Sequence, residues 1–204
     1  MAIKLWTRAS LEFVNNVKRN YKKNMHKSIK EKYNKEVVAE MSKLFGFKSN
    51  LQVPRIEKVV VNVGIGKFIK DSALVEDVKK TMTVIVGQKV VMNKAKKSIA
   101  GFKIREGQEV GMKATLRGKR KWDFIEKLVG ATIPRVRDFQ GLKESCVDAS
   151  GNFNLGIKEH TIFPEILPEN VKNIVGFQVN IATTAKNREE GLALFRLMGF
   201  PIKK

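Results

Sequence analysis

This chain is short of the residues from which metal and catalytic sites are usually built. It has one cysteine, Cys146, so no intrachain disulfide is possible. A lone thiol is compatible with a reducing compartment and says little more. The two histidines, His26 and His160, have no second His or Cys at ligand spacing. A structural zinc site wants four N or S ligands, and these three residues are all that the chain offers. No metal or other cofactor is therefore expected. No apolar run approaches the roughly 18 residues of a membrane span, so no transmembrane segment is expected. The start of the chain has no continuous apolar core, which excludes a secretory signal. Acid is scarce as well: 20 Asp and Glu stand against 40 Lys and Arg.

What the chain does have is positive charge, a formal +20 with a pI near 10.1. Such a charge opposes compaction through self-repulsion. It is most easily understood if a polyanion neutralises it. Nucleic acid is the first candidate and an anionic membrane surface the second. At 204 residues, 43% of them hydrophobic, the chain can bury a real core. The length suits one domain of about 150–200 residues, with or without a tail.

The charge is concentrated. Residues 94–121 hold ten Lys or Arg and two Glu. Lys94, Lys96, Lys97, Lys103 and Arg105 fall in a segment with Ser98 and Gly101 and no clear period, which suggests a flexible loop. Then Val110, Met112, Ala114 and Leu116 alternate with Gly111, Lys113, Thr115 and Arg117. A period of two predicts a strand with a dry apolar face and a wet cationic one. A charged strand face is ordinarily no more than a solvated face. The net charge of the whole chain favours a phosphate-binding surface instead.

Residues 1–27 carry seven Lys or Arg and one acid, Glu12. Leu5, Trp6, Ala9, Phe13, Val17 and Tyr21 lie near helical spacing. This basic amphipathic segment suits an extension that orders on binding RNA or protein, with a membrane-surface helix or an organelle transit peptide as alternatives. A capping box, Ser28-Ile-Lys-Glu31, opens a helix that Gly46 ends. Residues 56–63 predict a strand with Val59, Val61 and Val63 on one face and Ile56, Lys58, Val60 and Asn62 on the other. Gly64-Ile65-Gly66 invites a dinucleotide-binding reading, but the position for the third small residue is Ile69. A turn needing positive φ explains the glycines more simply. Residues 72–86 predict a helix capped by Ser72. Residues 88–93 predict a strand, and a helix containing Trp122 is expected to stop at Gly130. Residues 134–150 look irregular. Phe153, Leu155 and Ile157 mark a strand. Residues 175–184 predict another, with Phe177, Val179 and Ile181 inside and Gln178 and Asn180 outside. Asn187 is the candidate cap of the last helix.

Four or five strands and about four helices predict an α+β fold. Its antiparallel or mixed sheet would carry helices on one face and leave the other polar and basic. Asn62, Lys113, Thr115, Arg117, Gln178 and Asn180 would share that open face. Their amide, hydroxyl and cationic groups suit phosphate, ribose and base edges. Few aromatics would lie there, which argues for recognition of folded RNA by shape and backbone, with few stacked bases.

Seven blocks in order carry a resemblance: RIEKVVVNVGIG (55–66), TVIVGQKVVMNKAKKSIAGFKIREG (83–107), ATLRG (114–118), IPRVRDFQGL (133–142), GNFNLGIKE (151–159), IFPEI (162–166) and TTAKNREEG (183–191). The chain closely resembles the bacterial family of large-ribosomal-subunit protein five, the 5S-rRNA-binding protein. The resemblance runs from about residue 28 to the C-terminus. It implies an extension over 1–27, one ribosomal domain over 28–204, and a structural protein with no enzymatic activity. It implies a place in the central protuberance beside neighbouring proteins, joining 5S rRNA to the large-subunit rRNA. By motif position it assigns RNA contacts to Asn62, Gln88, Thr115 and Arg117. Gln178 stands where the family has an acid. The resemblance also implies that Lys94, Lys96, Lys97, Ser98, Phe102, Lys103 and Arg105 lie in a loop reaching the peptidyl-site tRNA. It places Arg135, Arg137, Asp138 and Lys143 in a bridge toward small-subunit protein thirteen. The implied location is the bacterial cytoplasm, with a mitochondrial or other organellar ribosome as the alternative.

Two other function classes compete. A free-standing RNA-binding or RNA-chaperone module would share the charge but not the seven ordered blocks. An RNA-processing enzyme would need a nucleophile–base pair or a carboxylate cluster. Asp138, Glu144 and Asp148 form no paired motif and are expected to be solvated loop charges.

Overall fold

A computed structural model describes residues 28–66, 71–166, 171 and 173–203; the basic segment 1–27 lies outside the described residues. Helix α1 starts at Ile29–Lys32, widens into a π turn at Tyr33–Val37 and continues through Val38–Phe45. Ser28 Oγ accepts from the Glu31 N–H, and Gly46 closes the helix in the left-handed conformation at φ 67°. Strand β1 (Ile56–Gly64) is followed by α2 (Ser72–Val86), β2 (Val91–Lys94) and β3 (Glu109–Leu116). Helix α3 (Gly118–Lys127), β4 (Phe153–Ile157), β5 (Phe177–Thr183) and α4 (Arg188–Met198) complete the order.

The five strands form one sheet in the order β2–β3–β1–β5–β4, with every neighbouring pair antiparallel. The expected α+β layering is present, and the sheet is purely antiparallel. Val59, Val61 and Val63 of β1 are fully buried, as are Met112 and Leu116 of β3 and Val179 and Ile181 of β5. Burying each such side chain stabilises the fold by about 1.5–3 kcal/mol. The helices cover this face. Tyr33 of α1 packs on Trp122 of α3 with ring centroids 5.5 Å apart, and its hydroxyl donates to the Pro54 carbonyl at 3.1 Å.

Among the described residues, most phenylalanines lie in the core and not on the open face of the sheet. Phe153, Phe195 and Phe200 make one cluster, with centroids 5.0–5.1 Å apart. Phe163 joins Phe124 and Phe177 in a second.

Several local expectations need correction. Ile56 is buried, not on the outer face, because the ladder to β5 shifts register between Ile56 and Lys58. A bulge there adds a residue and flips the side of the strand that precedes it. Asp71, not Ser72, caps α2, its carboxylate accepting from the Ala73 and Leu74 N–H groups. Asn187 makes no side-chain cap; Glu190 instead accepts from the Lys186 N–H at 3.0 Å. The strand expected at 88–93 is Val91–Lys94, and the last strand is Phe177–Thr183. Helix α3 begins four residues before Trp122, directly after β3, because Gly118 at φ 59° turns strand into helix within one residue. It does not stop at Gly130. Winding continues as a π turn at Leu128–Thr132 and a 3-10 turn at Ile133–Arg135, where Pro134 brings no N–H to extend it. Gly64 and Gly66 are not among the positive-φ glycines. The tight approach belongs to their neighbour Gly111, where a Cβ would lie 3.1 Å from the Val63 carbonyl.

Candidate nucleic-acid interface

The face of the sheet away from the helices holds the residues that alternation assigned to it, and strand register arranges them in rows. Asn62 of β1 is opposite Lys113 of β3 on one side and Gln178 of β5 on the other. Val91 of β2 extends this row beyond Lys113, and Gly156 of β4 extends it beyond Gln178. The next row runs Thr115, Val60, Asn180, Asn154. Residues directly opposite in an antiparallel pair point to the same face, with Cβ atoms about 4.5–5.5 Å apart. Lys113 and Gln178 are exposed, and Asn62, Thr115 and Asn180 are half-exposed. Among the described residues, no ion pair engages Lys113 or Arg117. No aromatic residue stands in either row.

Arg117 follows β3 and is the residue from which α3 starts. Lys119, Arg120 and Lys121 occupy the first turn of that helix, which holds no acid. Cations at the positive end of a helix dipole cost stability, and an anion bound there would offset the cost. Lys121 Nζ donates to the Ile56 carbonyl at 2.5 Å. Burial, then the nearby Arg55 guanidinium, holds its pKa below the ordinary lysine value. The positive potential is thus dense where β1 begins and β3 ends.

Gln88 stands at the β2 edge, and both ends of its amide are engaged. Its Nε2 donates to the Thr115 carbonyl at 3.3 Å, and Arg120 Nη1 donates to its Oε1 at 3.2 Å. It therefore fixes Thr115 and Arg120 in place beside the face.

The segment expected to be a flexible loop is an ordered extension of the β2–β3 hairpin. Ala95 and Gln108 continue the pairing, and Ile99 and Ile104 bridge each other through two hydrogen bonds. The tip is a 3-10 turn, Ala100–Phe102, closed by Lys103 at φ 54°. Ser98 is not a flexible spacer: its Oγ accepts from the Glu106 N–H at 2.9 Å. Lys94, Lys96, Lys97, Lys103 and Arg105 are all exposed around the tip, and Phe102 is 75% exposed.

Arg135, Arg137, Asp138 and Lys143 are exposed on the irregular segment ahead of β4. That segment is tied down. Leu142 pairs with Ile202, and Val147 pairs with Phe153. Glu144 and Asp148 are not merely solvated charges. Glu144 accepts from Arg196 Nη2 at 2.5 Å, and Asp148 accepts from the N–H groups of Ser150 and Asn152. No group of three or more acids, histidines or cysteines that could hold a metal occurs among the described residues. Among the same residues, no helix is long and apolar enough to cross a membrane.

A family model described as Ribosomal protein L5 matches residues 49–105, and one described as the ribosomal L5P family C-terminus matches residues 109–202. Large ribosomal subunit protein uL5 of Colwellia psychrerythraea is 49% identical over 172 residues, covering 84% of this chain and 95% of the relative. The same-named protein of Kosmotoga olearia is 50% identical over 176 residues, covering 86% of this chain and 96% of the relative. The chain belongs to the ribosomal protein L5 family. It is accordingly an rRNA-binding structural constituent of the large ribosomal subunit and has no enzymatic role. The two L5 family models meet in the β2–β3 hairpin, yet the strands interleave: β1 from the first half lies between β3 and β5 from the second.

One half-exposed polar residue of the outer face, Asn154, has no place among the sites expected from sequence. Its strand is short, and its identity as a strand rested on the alternating Phe153, Leu155 and Ile157. The same alternation places Asn154 outward, beside Asn180.

Proposed function

We propose that this chain binds 5S rRNA with the open face of its sheet and joins it to the large-subunit rRNA in the central protuberance. The register of the sheet supports this, aligning Lys113, Asn62 and Gln178 in one row, with Thr115 and Asn180 in the next. Arg117 adds a cation at the end of the same face, and Gln88 holds Thr115 from the edge. The polar residues of the rows are exposed or half-exposed, and the rows hold no aromatic residue. Such a surface suits the wide, shallow minor groove and the backbone of folded RNA better than splayed, stacked bases.

Residues 28–204 act as one domain in this reading, supported by the interleaved strands, and 1–27 is an extension outside it. The β2–β3 hairpin carries Lys94, Lys96, Lys97, Ser98, Phe102, Lys103 and Arg105 to the peptidyl-site tRNA. Its support is a paired stem with an exposed cationic tip. Arg135, Arg137, Asp138 and Lys143 form a contact toward small-subunit protein thirteen, supported by their exposure on a segment anchored beside β4 and α4. The location is the cytoplasmic ribosome of a bacterium, supported by the bacterial relatives; a cleaved segment within 1–27, read by mass spectrometry of the mature N-terminus, would mark an organellar ribosome instead.

Filter binding of Arg117→Ala to 5S rRNA tests the interface. The charge-assisted contact is worth about 1.5–3 kcal/mol, so affinity should fall by at least tenfold at matched salt. Unchanged affinity would remove Arg117 from the interface.

A further inference from the structure

The two rows of the open face differ in charge. One contains a cation, Lys113, between Val91 and Asn62. The other, Thr115–Val60–Asn180–Asn154, contains none. A neutral row cannot hold phosphate by charge. What it offers is a hydroxyl, three methyl groups and two amides. At its far end Asn180 Nδ2 donates to Asn154 Oδ1. That bond fixes both amides. It leaves the Asn154 Nδ2 donors and the Asn180 Oδ1 acceptor without a hydrogen-bond partner among the described residues. Both side chains are half-exposed, so the pair is accessible and costs little to present. An amide with its orientation preset loses less rotational freedom on binding, and it discriminates donors from acceptors before contact.

We infer that Asn154 and Asn180 form a preset amide pair that reads base edges in the RNA minor groove. Val60 lies against the sugar between the amide pair and Thr115. Affinity then comes mainly from Lys113 and Arg117, and discrimination from the neutral row. Direct readout by amides and hydroxyls carries specificity, whereas cation–phosphate contacts carry affinity and salt dependence. The inference rests on the sheet-face reading of rRNA binding and adds Asn154 to it as a specificity-determining residue.

The test uses the full chain in salt-dependent titrations against 5S rRNA and against a duplex RNA of similar length and unrelated sequence. Asn154→Ala should lower 5S affinity about 3- to 10-fold, the worth of one or two neutral hydrogen bonds. It should leave the salt slope and the affinity for unrelated duplex unchanged. Asn154→Asp keeps the acceptor for Asn180 but removes the outward donors, so it should lose at least as much. Lys113→Ala should weaken both RNAs and reduce the salt slope by about one. Thermal melts monitor folding, and Asn154→Ser serves as a second variant that keeps a polar group on the strand. Unchanged 5S affinity in Asn154→Ala, with Lys113→Ala still weakened, would overturn this inference alone. Equal loss on both RNAs would also overturn it. If neither variant changed 5S binding, the sheet-face reading itself would fall.

Discussion

Gln88 is tied to Thr115 by a hydrogen bond from its Nε2 to the Thr115 carbonyl, 3.3 Å long. The bond lies just before β2 begins, where β3 has no strand to pair with on that side. Its other amide end accepts from Arg120. Gln88→Ala should therefore free both the Thr115 backbone and the Arg120 guanidinium. We expect 5S rRNA affinity to fall about 3- to 10-fold, with the fold intact by circular dichroism. Gln88→Glu keeps the acceptor for Arg120 and loses the donor, so it should fall between wild type and Gln88→Ala. Equal affinities for all three would show that Gln88 does not support the interface.

The hairpin beyond β2 should be separable from the sheet face. Replacing residues 96–105 by a short Gly-Ser turn removes Lys96, Lys97, Lys103 and Arg105 but leaves the rows on β1, β3, β5 and β4 untouched. Affinity for 5S rRNA should change less than about threefold at physiological salt, where exposed cations are partly screened. Retention of peptidyl-site tRNA by assembled ribosomes should weaken. A large loss of 5S binding would place the hairpin in the 5S interface instead.

His160 is expected to make the fold sensitive to acid. It is buried, and its Nδ1 accepts from the Val175 N–H at 3.2 Å. Burial pushes its pKa below the ordinary 6.5, opposed in part by the Asp77 carboxylate. The unfolded chain thus takes up the proton more readily than the folded one. Stability is full above the unfolded pKa and declines as pH falls from about 6.5 through the lower folded value. The urea midpoint should therefore drop between pH 7.5 and pH 5. His160→Gln keeps an acceptor for Val175 and does not titrate, so its drop should be smaller. Identical drops would assign the acid sensitivity to the carboxylates.

Helix α4 is seated through two glycines. A Cβ on Gly191 would lie 2.6 Å from the Gly151 Cα and 2.7 Å from its carbonyl oxygen. Gly151 itself sits at φ 74° and its carbonyl accepts from Thr183 Oγ1 at 2.8 Å, so the backbone has no room to retreat. In an open helix, Gly→Ala would gain up to about 1 kcal/mol from propensity. Here overpacking, typically about 1–3 kcal/mol, should win. Gly191→Ala should lower the urea midpoint; a raised midpoint would show that α4 can shift.

The outer face was legible in the sequence because period two survives wherever a strand is regular. Lys113, Thr115, Gln178 and Asn180 all stand outward as alternation required. Ile56 departs from the alternation because a bulge breaks the period without a sequence signal of its own. The start of α3 was hidden inside a basic run, since Lys119, Arg120 and Lys121 look alike in a loop and in a helix. The hairpin tip has no period in the sequence because its order comes from the Ala95–Gln108 and Ile99–Ile104 backbone pairings and from Ser98 bonding to the backbone, none of which repeats. The family resemblance points to Gln88, but its role as a strut for Thr115 comes only from the three-dimensional arrangement. The partnership of Asn154 with Asn180 likewise depends on the β4–β5 register, which composition does not encode.

The most direct test of the account is a salt-dependent titration of the full chain against 5S rRNA, with tRNA and an unrelated duplex RNA as competitors. The account predicts clear preference for 5S rRNA, strongly reduced by Thr115→Ala and Arg117→Ala together. Equal binding to all three RNAs with a steep salt slope would contradict it, because only the net charge of +20 would then be recognised.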